Sequence, residues 1–240
     1  MACIAVSSAA QTTGWERSVE VSGNAWYGAA HARVMAAEIG FGRTDSTVTA
    51  RTDLHAGYAD DRDGDGPRRV TARAIRTSLS LDYRPFARYS PFAFGSLETS
   101  LQQRIAQGMN VGVGAKLTVL HHAREDASVS LAILAERIRA LSPPDSAPAN
   151  GVRTRWSLRL RYRRQLTPTL FFSHVTFYQP RVDDIADRFT VDATTAVEVA
   201  LSAVLALTST LHHHYDSEAR SRGAGSNVDG QLLLGLRARF

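Results

Sequence analysis

Gln231-Leu-Leu-Leu-Gly-Leu-Arg-Ala-Arg-Phe240 closes the chain, and its reading decides the fold. Successive side chains of an extended strand point to opposite faces. Leu232, Leu234, Leu236, Ala238 and Phe240 therefore share one face, and Gln231, Gly235, Arg237 and Arg239 share the other. A strand that is apolar on one side, polar on the other and ends on an aromatic carboxylate suits a wall between lipid and water. It is how the closing strand of a bacterial outer-membrane barrel reads, and it makes Phe240 the expected assembly signal.

Working back from that strand, period-two alternation recurs along the chain with no convincing helix. The candidate strands are 15–22, 27–40, 46–58, 70–83, 91–103, 108–120, 127–139, 152–164, 169–179, 188–200, 203–216 and 228–240. Most are near the length a tilted strand needs to cross a bilayer, and longer than the five or six residues usual in soluble sheets, as counted from about 9 to 11 residues per crossing. The connections alternate too. Polar links at 59–69, 140–151, 180–187 and 217–227 are long and flexible in composition, and those near 41–45, 84–90, 121–126, 165–168 and 201–202 are tight. Long loops outside and short turns in the periplasm are the habit of outer-membrane barrels. Both termini then lie in the periplasm, with Trp15, Tyr83, Tyr162, Phe171 and Phe240 as an aromatic girdle at the periplasmic rim and Tyr58 and Tyr178 near the outer one.

Composition agrees and excludes other classes. Of 240 residues 21% are charged, and no run of about 18 apolar residues is present to make a membrane helix. The net charge of +5 comes almost entirely from Arg. No helix-turn-helix pattern, zinc spacing or aromatic-basic RNA motif accompanies it, so nucleic acid is not an expected partner. Cys3 is the single cysteine, which rules out an internal disulfide and a Cys-based metal site. Residues 1–14 read as a signal-peptide remnant, with small residues Ser8, Ala9 and Ala10 before a cleavage site, or as a disordered N-terminus. The barrel is expected over 15–240.

The segment 152–164 shows what the interior must be. Val152, Thr154, Trp156, Leu158, Leu160 and Tyr162 share one face; Arg153, Arg155, Ser157, Arg159, Arg161 and Arg163 share the other. An arginine facing lipid at mid-membrane costs about 2 to 4 kcal/mol, so the ladder faces the lumen. The same parity points Glu16, Glu20, Asp53, Asp82, Glu98, Glu136, Asp192 and Glu198 inward, with Arg51, Arg76, Lys116, Arg237 and Arg239. Two readings stay open. Acids and bases pair across a narrow lumen and stiffen the wall, or the ladder is an unpaired stripe that concentrates anions in a water-filled passage. The strands flanking the ladder supply only Glu136 and neutral groups such as His174 and Thr176.

Other constellations carry little chemistry. Asp61, Asp63, Asp65 and Gly66 open like a calcium loop, but position twelve is Ala72 and no helices flank it, so a solvated hairpin loop is expected. His212 and His214 can converge, with His213 on the opposite face and no third ligand evident, so no metal site is expected. Ser173 and His174 are neighbours on a strand and point apart. No catalytic residues and no cofactor are expected, and the chain does not read as an enzyme.

Trp15-Glu-Arg-Ser-Val-Glu-Val-Ser-Gly-Asn24, Leu81-Asp-Tyr-Arg-Pro-Phe-Ala-Arg-Tyr-Ser-Pro-Phe-Ala-Phe-Gly95 and the glycine-rich Gly108 to Gly114 resemble the DUF481 family of outer-membrane barrels, which includes YdiY-like proteins. After Ser-Gly-Asn the family typically has Thr or Asp, where this chain has Ala25-Trp26. The resemblance implies a signal peptide, an outer-membrane location and insertion by the barrel assembly machinery, and it carries no catalytic or transport role. The expectation is a single all-β, antiparallel transmembrane β-barrel of about twelve strands in a Gram-negative outer membrane, in contact with lipid and lipopolysaccharide. Its expected function is porin-like or envelope-integrity, with a lumen lined by Arg153, Arg155, Arg159, Arg161, Arg163, Glu98, Glu136 and Glu198. The alternative is a closed structural barrel whose outer loops bind lipopolysaccharide, ions or a protein.

Overall fold

Alternation in the sequence becomes twelve antiparallel strands in the computed structural model, which describes residues 14–26, 30–63, 66–141 and 151–240. In chain order they are β1 (Gly14–Trp26), β2 (Ala30–Thr44), β3 (Val48–Asp63), β4 (Arg69–Tyr83), β5 (Tyr89–Ser100) and β6 (Ile105–His122). There follow β7 (Glu125–Ala140), β8 (Val152–Gln165), β9 (Leu170–Pro180), β10 (Phe189–Ala200), β11 (Leu205–Asp216) and β12 (Val228–Arg239). Each pairs with its sequence neighbours, and β12 returns to β1, so the sheet is a closed barrel with no free edge. At the seam Val19 lies opposite Ala238 and Val21 opposite Leu236. Arg17 and Phe240 exchange backbone hydrogen bonds of 3.1 Å in both directions, so the last residue completes the closure.

The barrel is apolar outside and polar inside. Val111, Val113, Leu158, Leu160, Leu234 and Leu236 stand exposed on the outer wall, while Glu20, Ser130, Glu136, Arg155, Glu198 and Thr208 are buried within. A continuous apolar belt of this kind far exceeds the few hundred Å² that a soluble protein leaves in water, and suits contact with lipid.

Gly14, Phe240 and the connections 45–47, 84–88, 123–124, 166–169 and 201–204 lie at one end, here the turn end; 66–68, 101–104, 181–188 and 217–227 lie at the other, the loop end. In the first turn the Asp45 carboxylate accepts hydrogen bonds from the backbone N–H of Thr47 and Val48, both 2.8 Å, and these hold it below the usual carboxylate range.

Several expectations need correcting. Two strands run further toward the loop end than alternation indicated, β1 through Gly23 and Asn24 to Trp26 and β3 to Asp63, whereas β5 stops earlier, at Ser100. Asp60 and Asp61 thus belong to a strand rather than a loop. A register shift falls between Ala59 and Asp60, and Asp60 is buried in ion pairs with Arg33 and Arg68. The rest of the acidic motif includes Gly64 and Asp65, which lie outside the described residues, as do residues 1–13 of the signal-like segment and 142–150 of the proline-rich loop. The parity of β9 is the reverse of that expected. Tyr162 pairs with His174, and Leu158 with Tyr178, so His174 and Thr176 face outward. Phe171 faces inward, lining the lumen with Arg163 6.0 Å from its ring, and Phe172 takes the girdle position beside Tyr162. The outward imidazole is tolerated because both its nitrogens have hydroxyl partners, Thr195 at 2.8 Å and Thr176 at 2.6 Å.

The glycines of β6 have a packing reason. A side chain at Gly114 would come within 2.6 Å of the Ala132 Cβ and closer still to the Leu131 carbonyl oxygen; at Gly112 it would come within 2.7 Å of the Phe94 ring. Gly114→Val is expected to destabilise the barrel by about 1 to 3 kcal/mol, because backbone on the facing strand must move. Guanidinium unfolding followed by tryptophan fluorescence measures it, and an unchanged midpoint would show that β7 yields freely.

Candidate functional site

Every strand contributes alternate side chains to the lumen, and β8 contributes the ladder. Arg153, Arg155, Ser157, Arg159, Arg161 and Arg163 face inward as their outward neighbours Val152, Trp156, Leu158 and Leu160 are exposed. Glu98, Glu136 and Glu198 are also on the lumen side, on β5, β7 and β10. The structure divides this set into three groups.

The first group joins the loop-end half of the ladder to two acids. Arg155 is fully buried: its Nε donates to Glu136 at 2.8 Å, its Nη1 to the Gln179 carbonyl at 3.0 Å and its Nη2 to Glu218 at 3.1 Å. Glu218 also accepts from Arg153 at 3.2 Å and Arg181 at 3.3 Å. Arg181 in turn pairs with Asp183, whose carboxyl it holds below the usual range. Glu218 and Arg181 lie on connections that read as flexible polar loops, and nothing in their local sequence marks them as lumen partners.

The second group, Arg159, Arg161 and Arg163, has no carboxylate within 4.0 Å among the described residues. Arg159 donates to Ser130 at 3.1 Å and lies 5.3 Å from the Phe92 ring and 6.0 Å from Phe177. The third group closes the far wall: Arg237 bonds Glu20 and Glu198, Arg239 bonds Glu198 at 2.7 Å, and Arg76 faces Glu98 at 3.7 Å. Glu38 faces the same space, an acid the sequence reading did not single out.

The interior is hollow. A turn-end vestibule of about 650 Å³ shares Glu16, Arg161, Arg163 and Phe171 with a middle cavity of about 500 Å³. Arg88, Lys116, Arg124, Arg161 and Arg163 line it with the fewer acids Glu16, Glu125 and Asp126, of which Asp126 lies opposite Arg163, and Lys116 faces Asp82 at 3.9 Å. The middle cavity shares His55, Thr194 and His212 with a loop-end chamber of about 210 Å³. His55 and His212 stand with ring centroids 6.3 Å apart at that junction. Above it the mouth is bridged. Gln102 reaches Asp229 at 3.2 Å, and Arg222, on the short 3-10 turn Arg220–Arg222, bonds Asp216 and the Gln103 carbonyl. His212 bonds Thr194 at 3.1 Å and His214 pairs with Asp192, and no cluster of three or more metal-ligating side chains occurs among the described residues.

A family model described as "Protein of unknown function, DUF481" matches residues 35–240. The chain belongs to the DUF481 family. No curated protein matches it in sequence. Among solved structures, the DUF481 barrel is similar to the COG4313 outer membrane channel from Pseudomonas putida F1, with TM-score 0.52 and 12% identity over 95% of each chain. It is also similar to the translocator domain of autotransporter NalP from Neisseria meningitidis, with TM-score 0.51 and 12% identity over 95% of this chain and 88% of that one. A third likeness is to the NanC porin, with TM-score 0.51 and 6% identity over 93% and 97%. At such identities the likeness is one of fold: this DUF481 barrel shares the architecture of outer-membrane channels and translocator domains. Its own lumen carries a split ladder, ion-paired toward the loops and without carboxylates within 4.0 Å toward the turns among the described residues.

Proposed function

We propose that this protein is a barrel of the bacterial outer membrane that holds a narrow, basic, water-filled passage and admits small anions. The observation that carries the reading is the run of Arg159, Arg161 and Arg163, unpaired with acids, along a middle cavity of about 500 Å³ that opens into the basic vestibule. Fixed positive charge in a low-dielectric channel raises the local concentration of anions and excludes cations. The turn end faces the periplasm in this reading, and lipid and lipopolysaccharide cover the apolar belt. Phe240, whose side chain stands exposed at the turn end, is proposed as the residue read by the assembly machinery. The test is single-channel recording of detergent-refolded protein in a planar bilayer under a KCl gradient. Stable steps with an anion-selective reversal potential are expected; a folded but silent barrel would overturn the passage.

A second reading is a closed structural barrel. The mouth bridges favour it, since Gln102–Asp229 and Arg222–Gln103 tie the β5–β6 turn to the β11–β12 side. The same recording separates the two.

A further inference from the structure

The outer wall divides into two halves at the loop end. On β9 to β11 its apolar band ends on aromatics: Phe189 packs against Tyr178 at 5.6 Å and Tyr215 at 5.2 Å between centroids. On β2, β4 and β7 it ends on arginines. Outward Phe41, Ile39 and Met35 lead to Arg33; Leu81, Leu79 and Ile75 lead to Arg73; Leu131 and Ile133 lead to Arg137 and Arg139. Register fixes their direction. Arg73 lies opposite Tyr58, itself opposite exposed Met35, and Arg137 lies opposite exposed Met109 and Val152. All four arginines are exposed.

We propose that Arg33, Arg73, Arg137 and Arg139 form a docking site for the phosphorylated headgroup of an outer-leaflet glycolipid, lipopolysaccharide. The inference rests on the outer-membrane reading above. Charge complementarity selects the occupant. Guanidinium forks match phosphate oxygens, and an arginine at the level of the headgroups has anions beside it while its neighbours two residues down the strand face acyl chains. On this arc Asp60 is paired to Arg33 and Arg68. Arg73, Arg137 and Arg139 have no carboxylate within 4.0 Å among the described residues. At the turn end, by contrast, Arg43 and Arg17 lie over Trp15 and Phe41, 5.4 and 5.9 Å from the rings. From β4 to β7 is three strand spacings, roughly 14 Å across the sheet, and Arg137 is level with Thr77 rather than with Arg73, so the arginines are spread widely enough to meet a headgroup that bears more than one phosphate.

The experiment titrates full-length refolded protein in detergent with purified lipopolysaccharide and, separately, with its dephosphorylated form, counting bound lipid by native mass spectrometry. Heat-modifiable gel mobility verifies folding, and insertion into phosphatidylcholine vesicles tests the membrane reading by itself. The wild type is expected to bind the phosphorylated lipid and to lose it on dephosphorylation. Arg73→Gln/Arg137→Gln/Arg139→Gln is expected to bind on the order of a hundredfold more weakly, from the attraction each basic residue contributes near an anionic surface. Arg17→Gln/Arg43→Gln/Arg164→Gln removes as much charge from the opposite rim and is expected to bind like the wild type. Equal binding of both lipid forms by a wild type that inserts would overturn the proposal, as would equal weakening by the two triple variants. If the loop-end variant does not fold, the two lipid forms on the wild type still decide.

Discussion

Arg155→Met is expected to destabilise the barrel by about 3 to 5 kcal/mol, the typical consequence of removing one partner from a buried ion pair. Arg155 is wholly inaccessible, and Glu136, 7% exposed, has it as its only ion-pair partner among the described residues. Methionine fills the space and leaves the carboxylate in place, so the lost attraction is not offset by water. Glu218 is less affected, because Arg153 and Arg181 still hold it. The double variant Arg155→Met/Glu136→Gln removes the stranded charge and should recover much of the loss. Denaturant unfolding in vesicles, followed by tryptophan fluorescence, reads both. A single variant that unfolds with the wild type would show that the pair has no net role; a double variant as unstable as the single would place the effect in packing.

Strand number, closure and the sidedness of β8 and β12 were legible in the sequence, because a period of two and the exclusion of arginine from lipid leave one solution for each. The closing decapeptide has both faces as expected, and Leu233, on the same face as Arg237 and Arg239, is buried in the lumen. β9 was misread for a physical reason. Leu170-Phe-Phe-Ser-His-Val-Thr-Phe-Tyr178 has an aromatic on each face, and the odd face, Phe171, Val175 and Phe177, is the more apolar. The barrel nevertheless turns it inward, where the rings lie beneath Arg159 and Arg163, and leaves His174 outside, bonded to hydroxyls. Strand parity is thus set by cross-strand partners that a local window does not contain. The same holds for the site. Five arginines on one face were visible, but which are neutralised depends on Glu218, 63 residues from Arg155 on a loop without regular alternation.

Arg159→Gln/Arg161→Gln/Arg163→Gln is expected to invert the ion preference of the passage. Six arginines and four glutamates line the middle cavity: Arg51, Arg159, Arg161, Arg163, Arg237 and Arg239 against Glu16, Glu20, Glu38 and Glu198. Removing the three leaves acids in excess, and the reversal potential in a salt gradient should change sign, most clearly at low ionic strength where screening is weakest. Stability should behave oppositely to Arg155. Neighbours on one face of a strand stand about 6.6 Å apart, so the three like charges repel one another with no carboxylate between them. Their replacement should therefore leave the unfolding midpoint unchanged or raise it. An unaltered reversal potential would show that ions bypass the ladder, and a collapse of stability would show that it is held by partners beyond Ser130 and the phenylalanine rings. One strand thus carries two kinds of arginine. Arg155 holds the wall because its charge is neutralised, and Arg159, Arg161 and Arg163 can act on a solute because theirs is not.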